Sequence, residues 1–369
     1  MNPFRYGQVV SSHNYCRRPD LEKKLQSYFL SGQNTYIEGE RRTGKTSLIF
    51  QTVAHTRSKW LIYIDLLEVR TVEDINKRIL NGIAKANKGH NLLSNIIKSL
   101  TALRPVVSFD PITGSPSISI DASLQLQPES LEGMLDLFSG REFKNVVIAF
   151  DEFQDIRNLA NAGQALAVMR SKIQFLNTVP FVFCGSIRHE MHMIFNDPES
   201  PFFKSALPLN VGSIDRTEFS AFIVEKFRKG KREIPDVIVN KVLQITNDNP
   251  GDSQQLCSAI YDVSNELSQV SDTTINEALQ YLFAEERKGY EVQLARLTAI
   301  QLKCLTTVAR IGGRNTSSSE FIKTSGVALP TTIRKALTRL VELKILFMNE
   351  GEFRFVNPFF AQWLVLMNY

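Results

Sequence analysis

At 369 residues the chain exceeds what one hydrophobic core usually supports, so two or three domains are expected. Its 43% hydrophobic and 22% charged residues are those of a soluble globular protein, and no apolar run approaches ~20 residues. The start, Met1 to Gln8, carries no signal-peptide core, and Cys16, Cys184, Cys257 and Cys304 form no C-x-x-C pair, so a reduced cytoplasmic protein without disulfide frame or zinc site is expected.

The net charge of +5 is unevenly placed. From Ala295 onward ten Lys/Arg stand against four Asp/Glu, a balance of +6, so everything earlier sums to −1. The first segment, Asn2-Pro3-Phe4 through Cys16-Arg17-Arg18-Pro19-Asp20, reads as a polar and aromatic loop. A helix follows, with Asp20 as its cap and Leu21, Leu25, Tyr28 and Phe29 on one face. This arm could cover a nucleobase or simply pack; both readings stay open.

A short apolar run, Thr35 to Ile37, leads into Gly39-Glu40-Arg41-Arg42-Thr43-Gly44-Lys45-Thr46-Ser47, and Leu48, Ile49 and Val53 carry a helix out. Gly, four residues, then Gly-Lys-Ser/Thr between strand and helix is the phosphate-loop pattern. Gly39 and Gly44 let the backbone turn tightly and aim its N–H groups at phosphate oxygens, helped by the positive end of the following helix. Lys45 would reach the β- and γ-phosphates, and Thr46 would ligate Mg²⁺. The nucleotide-binding set is therefore Gly39 through Ser47.

Trp60 to Leu66 reads as a second strand, and a helix should begin near Thr71 with Glu73 and Asp74 in its first turn. Asn91 to Leu103 is helical in pattern. Val106–Phe109 and Ser117–Asp121, flanking a Pro- and Gly-containing turn, predict a β-hairpin projecting from the core. After a helix over Leu131–Phe138 comes Asn145-Val146-Val147-Ile148-Ala149-Phe150-Asp151-Glu152, a purely apolar run ending in two carboxylates. That pattern is a buried parallel strand with a wet C-terminal end, where ligands of open α/β sheets sit. Asp151 would hold the Mg²⁺ shell and Glu152 would deprotonate a water for attack on the γ-phosphate. Together the two motifs read as an ATPase; no Asn/Thr-Lys-x-Asp guanine motif appears.

A helix over Asn161–Phe175 precedes the strand Pro180–Ser186, whose last residue, Ser186, either senses the γ-phosphate or is merely a polar strand end. His189-Glu190-Met191-His192 lacks the spacing that puts two zinc-binding histidines on one helical face. Ala206–Val211, containing Pro208, is an edge strand. Four helices then follow, over Glu218–Lys229, Pro235–Thr246, Ser253–Leu267 and Thr274–Ala284, as a small lid domain. Finally, helices over Leu297–Ile311, Ser318–Thr324 and Thr331–Leu343 and a hairpin over Phe347–Phe355 spell a winged helix. On its third helix Ile333, Leu337, Leu340 and Val341 form the buried face, with Arg334, Lys335 and Arg339 opposite. That basic face could meet duplex DNA, or be a solvated face of a domain that docks on protein.

With these pieces in hand, the chain resembles the archaeal-type P-loop ATPases of the AAA+/STAND class, the signal-transduction ATPases with many domains. The resemblance rests on Asn2-Pro3-Phe4 with Arg17-Arg18, the phosphate loop, Phe150-Asp151-Glu152-Phe153-Gln154, and Phe183-Cys184-Gly185-Ser186. It extends to the lid turn Asn249-Pro250-Gly251 and the ending Asn357-Pro358-Phe359-Phe360-Ala361-Gln362-Trp363-Leu364. It implies a three-layer αβα core over residues 1–213, with the hairpin inserted at about 104–122. An all-α lid over 214–290, whose Pro250 touches the nucleotide, and a winged helix over 291–369 follow. It also implies that the acidic strand lies between the loop strand and the Ser186 strand, and that nucleotide state sets the angles between core, lid and winged helix. Lys204 stands where such proteins carry a Gly-Arg, so an arginine finger does not carry over.

The leading functional expectation is thus an Mg²⁺- and ATP-dependent switch with slow hydrolysis. The alternatives are an ATP-dependent DNA-binding protein of initiator type, and an ATP-bound interaction scaffold such as a phage-defence or mobile-element regulator.

Overall fold

The computed structural model describes residues 2–57, 59–86, 105–109, 116–120, 128–186, 188–349 and 351–367. Two units divide the chain: Val9–Ser213, and Met1–Gln8 together with Ile214–Tyr369.

The first unit runs α1 (Pro19–Leu30), β1 (Thr35–Glu38), α2 (Lys45–His55), β2 (Trp60–Asp65), α3 (Val72–Ala86), β3 (Pro105–Phe109), β4 (Pro116–Ile120), α4 (Pro128–Asp136), β5 (Val146–Asp151), α5 (Ala162–Ile173), β6 (Phe181–Gly185), α6 (Arg188–Phe195) and β7 (Leu207–Asn210). Five strands form one parallel sheet in the order β2-β5-β6-β1-β7. Every residue of β5 and of β6 is buried, as their unbroken apolar runs require. Alternate residues of β5 feed two cores. Ile148 and Phe150 join Ile75, Ile79 and Leu135 on one face, and Val147 and Ala149 join Leu25, Leu48 and Ile49 on the other. The result is a three-layer αβα unit.

One expectation about this sheet is corrected. The acidic strand β5 does not lie between the loop strand β1 and β6; β6 sits between them, pairing with β5 on one side and β1 on the other. An all-apolar run tells only that a strand is interior, and β5 and β6 satisfy that condition equally. Edge position was legible, because Pro208 of β7, opposite Tyr36, could not donate to a second neighbour.

Helix starts follow local chemistry. Thr71 and Asp74 exchange side-chain and backbone hydrogen bonds at the start of α3. Helix α1 begins at Pro19, one residue before the expected cap: Asp20 is inside the helix, and the cap position is Arg18, whose N–H donates to Glu22 Oε1 at 2.8 Å. The hairpin is present as the antiparallel pair β3–β4, with β4 running beside α3. Its turn and the helix expected over Asn91–Leu103 lie outside the described residues.

The second unit continues with α7 (Arg216–Lys229), α8 (Asp236–Ile245), α9 (Pro250–Val263), α10 (Asp272–Ala295), α11 (Ala299–Ile311), α12 (Ser319–Ser325), α13 (Pro330–Glu342), β8 (Leu346–Asn349), β9 (Glu352–Phe355) and α14 (Pro358–Leu366). Two differences from the expected domain division appear. The boundary at residue 290 falls inside α10, a single 24-residue helix. Its Tyr290 stacks on Phe360 of α14 at 4.7 Å, and Asn357 donates to Glu286 and to the Tyr290 hydroxyl. Lid and winged helix therefore share one helix. The N-terminal residues also belong with this unit: Phe4 is buried against Phe227 of α7, Lys226 Nζ donates to the Pro3 carbonyl at 2.7 Å, and Asn2 Nδ2 donates to Ser258 and Asp262. Helix α14 went unpredicted because its aromatic, almost wholly apolar run has no polar face to mark a helical period.

Candidate functional site

The site forms at the C-terminal ends of β1, β5 and β6, which parallel pairing brings to one edge of the sheet. Glycine at position 39 is forced by packing: a Cβ there would lie 2.3 Å from the Val211 carbonyl oxygen. Gly44 is left-handed (φ +87°) and immediately precedes α2, so the loop turns directly into a helix N-terminus. Between them Thr43 Oγ1 donates to the Glu40 carbonyl, while Glu40 is half-buried and Arg41 and Arg42 are exposed, Arg42 in the left-handed region. Lys45 Nζ donates to the carbonyls of Gly39 and Glu40 at 3.0 and 2.8 Å. An ammonium has three hydrogens, so one remains for a phosphate oxygen. The Ser47 side chain points elsewhere, accepting from Val10 N at 3.1 Å, so the arm lies along α2.

The acidic strand meets the loop directly. Thr46 Oγ1 donates to Asp151 Oδ2 at 2.7 Å, and Tyr63 of β2 donates to the same oxygen at 2.7 Å. Burial, then the charge of Asp151, raises the pKa of the Tyr63 hydroxyl far above its ordinary value, so it remains a donor. Burial likewise pushes the Cys184 thiol up beside Asp151, leaving it an inert core residue. The hydroxyl of Thr46 and the carboxylate of Asp151 are both hard oxygen donors, the set that suits Mg²⁺ when phosphate oxygens and water complete the shell.

Glu152 follows with left-handed backbone (φ +48°), which turns its half-exposed side chain along the strand ends. Its Oε2 accepts from Ser186 Oγ at 2.8 Å and from Gln154 Nε2 at 2.5 Å. The structure thus brings together Lys45, Thr46, Asp151, Glu152 and Ser186. Pro250 lies in the other unit, as the first residue of α9, where Asn249 Oδ1 accepts from Gly251 and Asp252 N–H groups.

Three further residues belong to this site. Arg18, buried, donates to the Thr43 and Gly212 carbonyls at 2.7 Å each and so pins the loop to the end of β7. Tyr63 and Gln154 act on the two carboxylates. The sequence marked Tyr63 only by its place two residues before the end of its strand, and Gln154 only as the last residue of the acidic-strand motif, with no role attached.

The basic face of α13 is built as expected, with Arg334 and Lys335 exposed. Val341 is only half-buried, and Ala336 takes its place in the core. Arg339 is neutralised locally, 2.6 Å from Glu342. In the wing, Arg354 and Arg314 both face Glu352, at 2.7 and 3.8 Å.

A family profile described as a probable winged helix domain matches residues 288–365. A comparison with curated proteins finds no match. Among solved structures, the Walker-type ATPase PABY2304 of Pyrococcus abyssi superposes with a TM-score of 0.66 at 16% identity, covering 98% of this chain and 99% of that one. The fold is that of a Walker-type P-loop ATPase. ORC1 of Aeropyrum pernix, solved in complex with DNA, superposes at 0.52 with 13% identity, covering 98% and 95%. ORC2 of the same organism, in ADPNP–ADP complexes, superposes at 0.52 with 14% identity, covering 94% and 91%. The family profile and the helix–hairpin order agree that the C-terminal segment here is a winged helix.

Proposed function

We propose that this protein binds ATP with Mg²⁺ and hydrolyses it slowly, using nucleotide state to control its lid and winged helix. The observation that carries this reading is the 2.7 Å contact between Thr46 of the phosphate loop and Asp151 of the acidic strand, with Glu152 next in the chain. Thr46 and Asp151 would hold Mg²⁺, which, when bound, offsets phosphate charge. The loop N–H groups from Gly39 to Thr46 and Lys45 hold the phosphates. Glu152 takes a proton from a water whose oxygen bonds to the γ-phosphorus, while the bond to the bridging oxygen breaks and ADP leaves with that electron pair. Ser186 keeps the carboxylate in place. Because α10 belongs to both lid and winged helix, the two respond as one body.

A second reading, DNA binding of initiator type, is favoured by the exposed Arg334 and Lys335 on the third helix of the winged-helix fold. ATP turnover by wild type and Glu152→Gln, with and without duplex DNA, tests both. Turnover lost in the variant with ADP binding retained supports Glu152 as the base, and stimulation by DNA supports the second reading. Equal turnover in both proteins would sink the hydrolytic mechanism.

A further inference from the structure

Gln154 is an anomaly in the core. It is 3% exposed, yet its Oε1 accepts no hydrogen bond among the described residues. Leaving a buried acceptor unsatisfied costs stability, so its retention calls for a compensating role. The space it fills is provided by a glycine: a Cβ on Gly185 would lie 2.5 Å from Gln154 Oε1 and 2.4 Å from Met191 Sδ.

The other end of the amide is fully used. Nε2 donates to Glu152 Oε2 at 2.5 Å and to Asp155 Oδ1 at 3.2 Å, so one neutral NH₂ bridges two carboxylates. The reverse orientation would set a carbonyl oxygen against both anions, and is excluded by charge. Asp155 is itself fixed, since its Oδ2 accepts from Glu68 N at 2.8 Å and its N–H donates to the Glu152 carbonyl at 2.9 Å. Ser186 Oγ supplies the second donor to Oε2 at 2.8 Å. Both side-chain donors converge on one oxygen of Glu152, and Oε1 has none among the described residues.

We infer that Gln154, with Ser186, anchors Oε2 of Glu152 so that Oε1 alone is presented to water: Gln154 is a positioning residue for the general base. This rests on the hydrolytic reading above. A carboxylate on a flexible glutamate rotates about its terminal bond, and only one oxygen need take the proton; fixing the other removes the unproductive orientations. A neutral amide does this beside Asp155 without adding a third negative charge.

The test is steady-state ATP turnover by Gln154→Met, which keeps volume but removes both donors, and Gln154→Glu, which keeps shape but replaces donor by acceptor. Gln154→Met is expected to lower kcat roughly tenfold or more, with KM for ATP within about twofold. Gln154→Glu should fall further. In the Glu152→Gln background neither substitution should lower the residual rate, because the effect runs only through Glu152. If either buried variant fails to fold, half-buried Ser186→Ala must show the same kcat-only loss. Unchanged or raised kcat in a folded Gln154→Met, or in Ser186→Ala, overturns the inference, as does a further loss in the Glu152→Gln background. Should Glu152→Gln itself turn over like wild type, the general-base reading fails as well; if it is inactive while Gln154→Met is normal, only the anchoring fails.

Discussion

Arg18 shows how one side chain ties chemistry to the fold. Its two 2.7 Å bonds to the carbonyls of Thr43 and Gly212 hold the phosphate loop against the end of the edge strand. Arg18→Met should leave both carbonyls without that donor and destabilise the protein by about 2–4 kcal/mol, measured as denaturant midpoint, with weaker ADP binding by calorimetry. Unaltered ADP affinity would show that the loop holds its shape without this tie. Lys226 makes a pH-dependent case. Burial, then the positive charges of Lys229 and Arg5, lower its pKa to about 8, with Glu225 acting in the opposite direction. An unfolded lysine titrates near 10.4, so from about pH 8 to 10 the unfolded chain binds more protons than the folded one. Stability from this group therefore rises with pH across that window. Relative to Lys226→Met, the wild type should gain thermal stability between pH 8 and 10; a constant difference in Tm would refute the shift.

At the scale of elements, the N-terminal arm is more than a covering strand. Asn2, Pro3 and Phe4 are held by α7 and α9, while from Val9 onward the chain belongs to the other unit, so the polypeptide passes between units at residues 8–9 and again at 213–214. Phe4→Ala removes a ring buried against Phe227 and should cost about 3 kcal/mol in the unfolding of the helical unit, read by circular dichroism. A loss below ~1 kcal/mol would mean that the arm is adherent, not structural. Helix α10 makes a related point: it runs on past residue 290 as a mostly polar rod, with Tyr290 buried under α14.

For the whole molecule, charge sets the prediction. The surplus of cations after Ala295 is partly spent on Glu342 and Glu352, leaving Arg334 and Lys335 as the exposed cations of α13 with no ion pair among the described residues. If duplex DNA binds there, the double variant Arg334→Ala/Lys335→Ala should reduce the salt slope of binding by about 2, since each phosphate contact contributes ~0.9. Glu342→Gln should tighten binding by releasing Arg339. Fluorescence anisotropy over a salt series measures both, and a slope unchanged in the double variant would remove this face from DNA recognition.

The phosphate loop, the acidic strand end, the edge strand and the winged-helix order were legible in the sequence. Each is written in local terms: glycines at a fixed spacing, an apolar run closed by carboxylates, a proline in a strand, an alternation of helical faces. What only the tertiary structure decided are relations between segments far apart in the chain. Which buried strand neighbours which, whether an arginine near the start clasps a loop and a strand end, and whether Gln154 donates to Glu152 all depend on packing. Local pattern carries hydrophobic period and turn chemistry; it does not carry the partner across the sheet. The residues of the candidate site were therefore readable from two motifs, and the residues that contact Glu152 and tie down the loop were not.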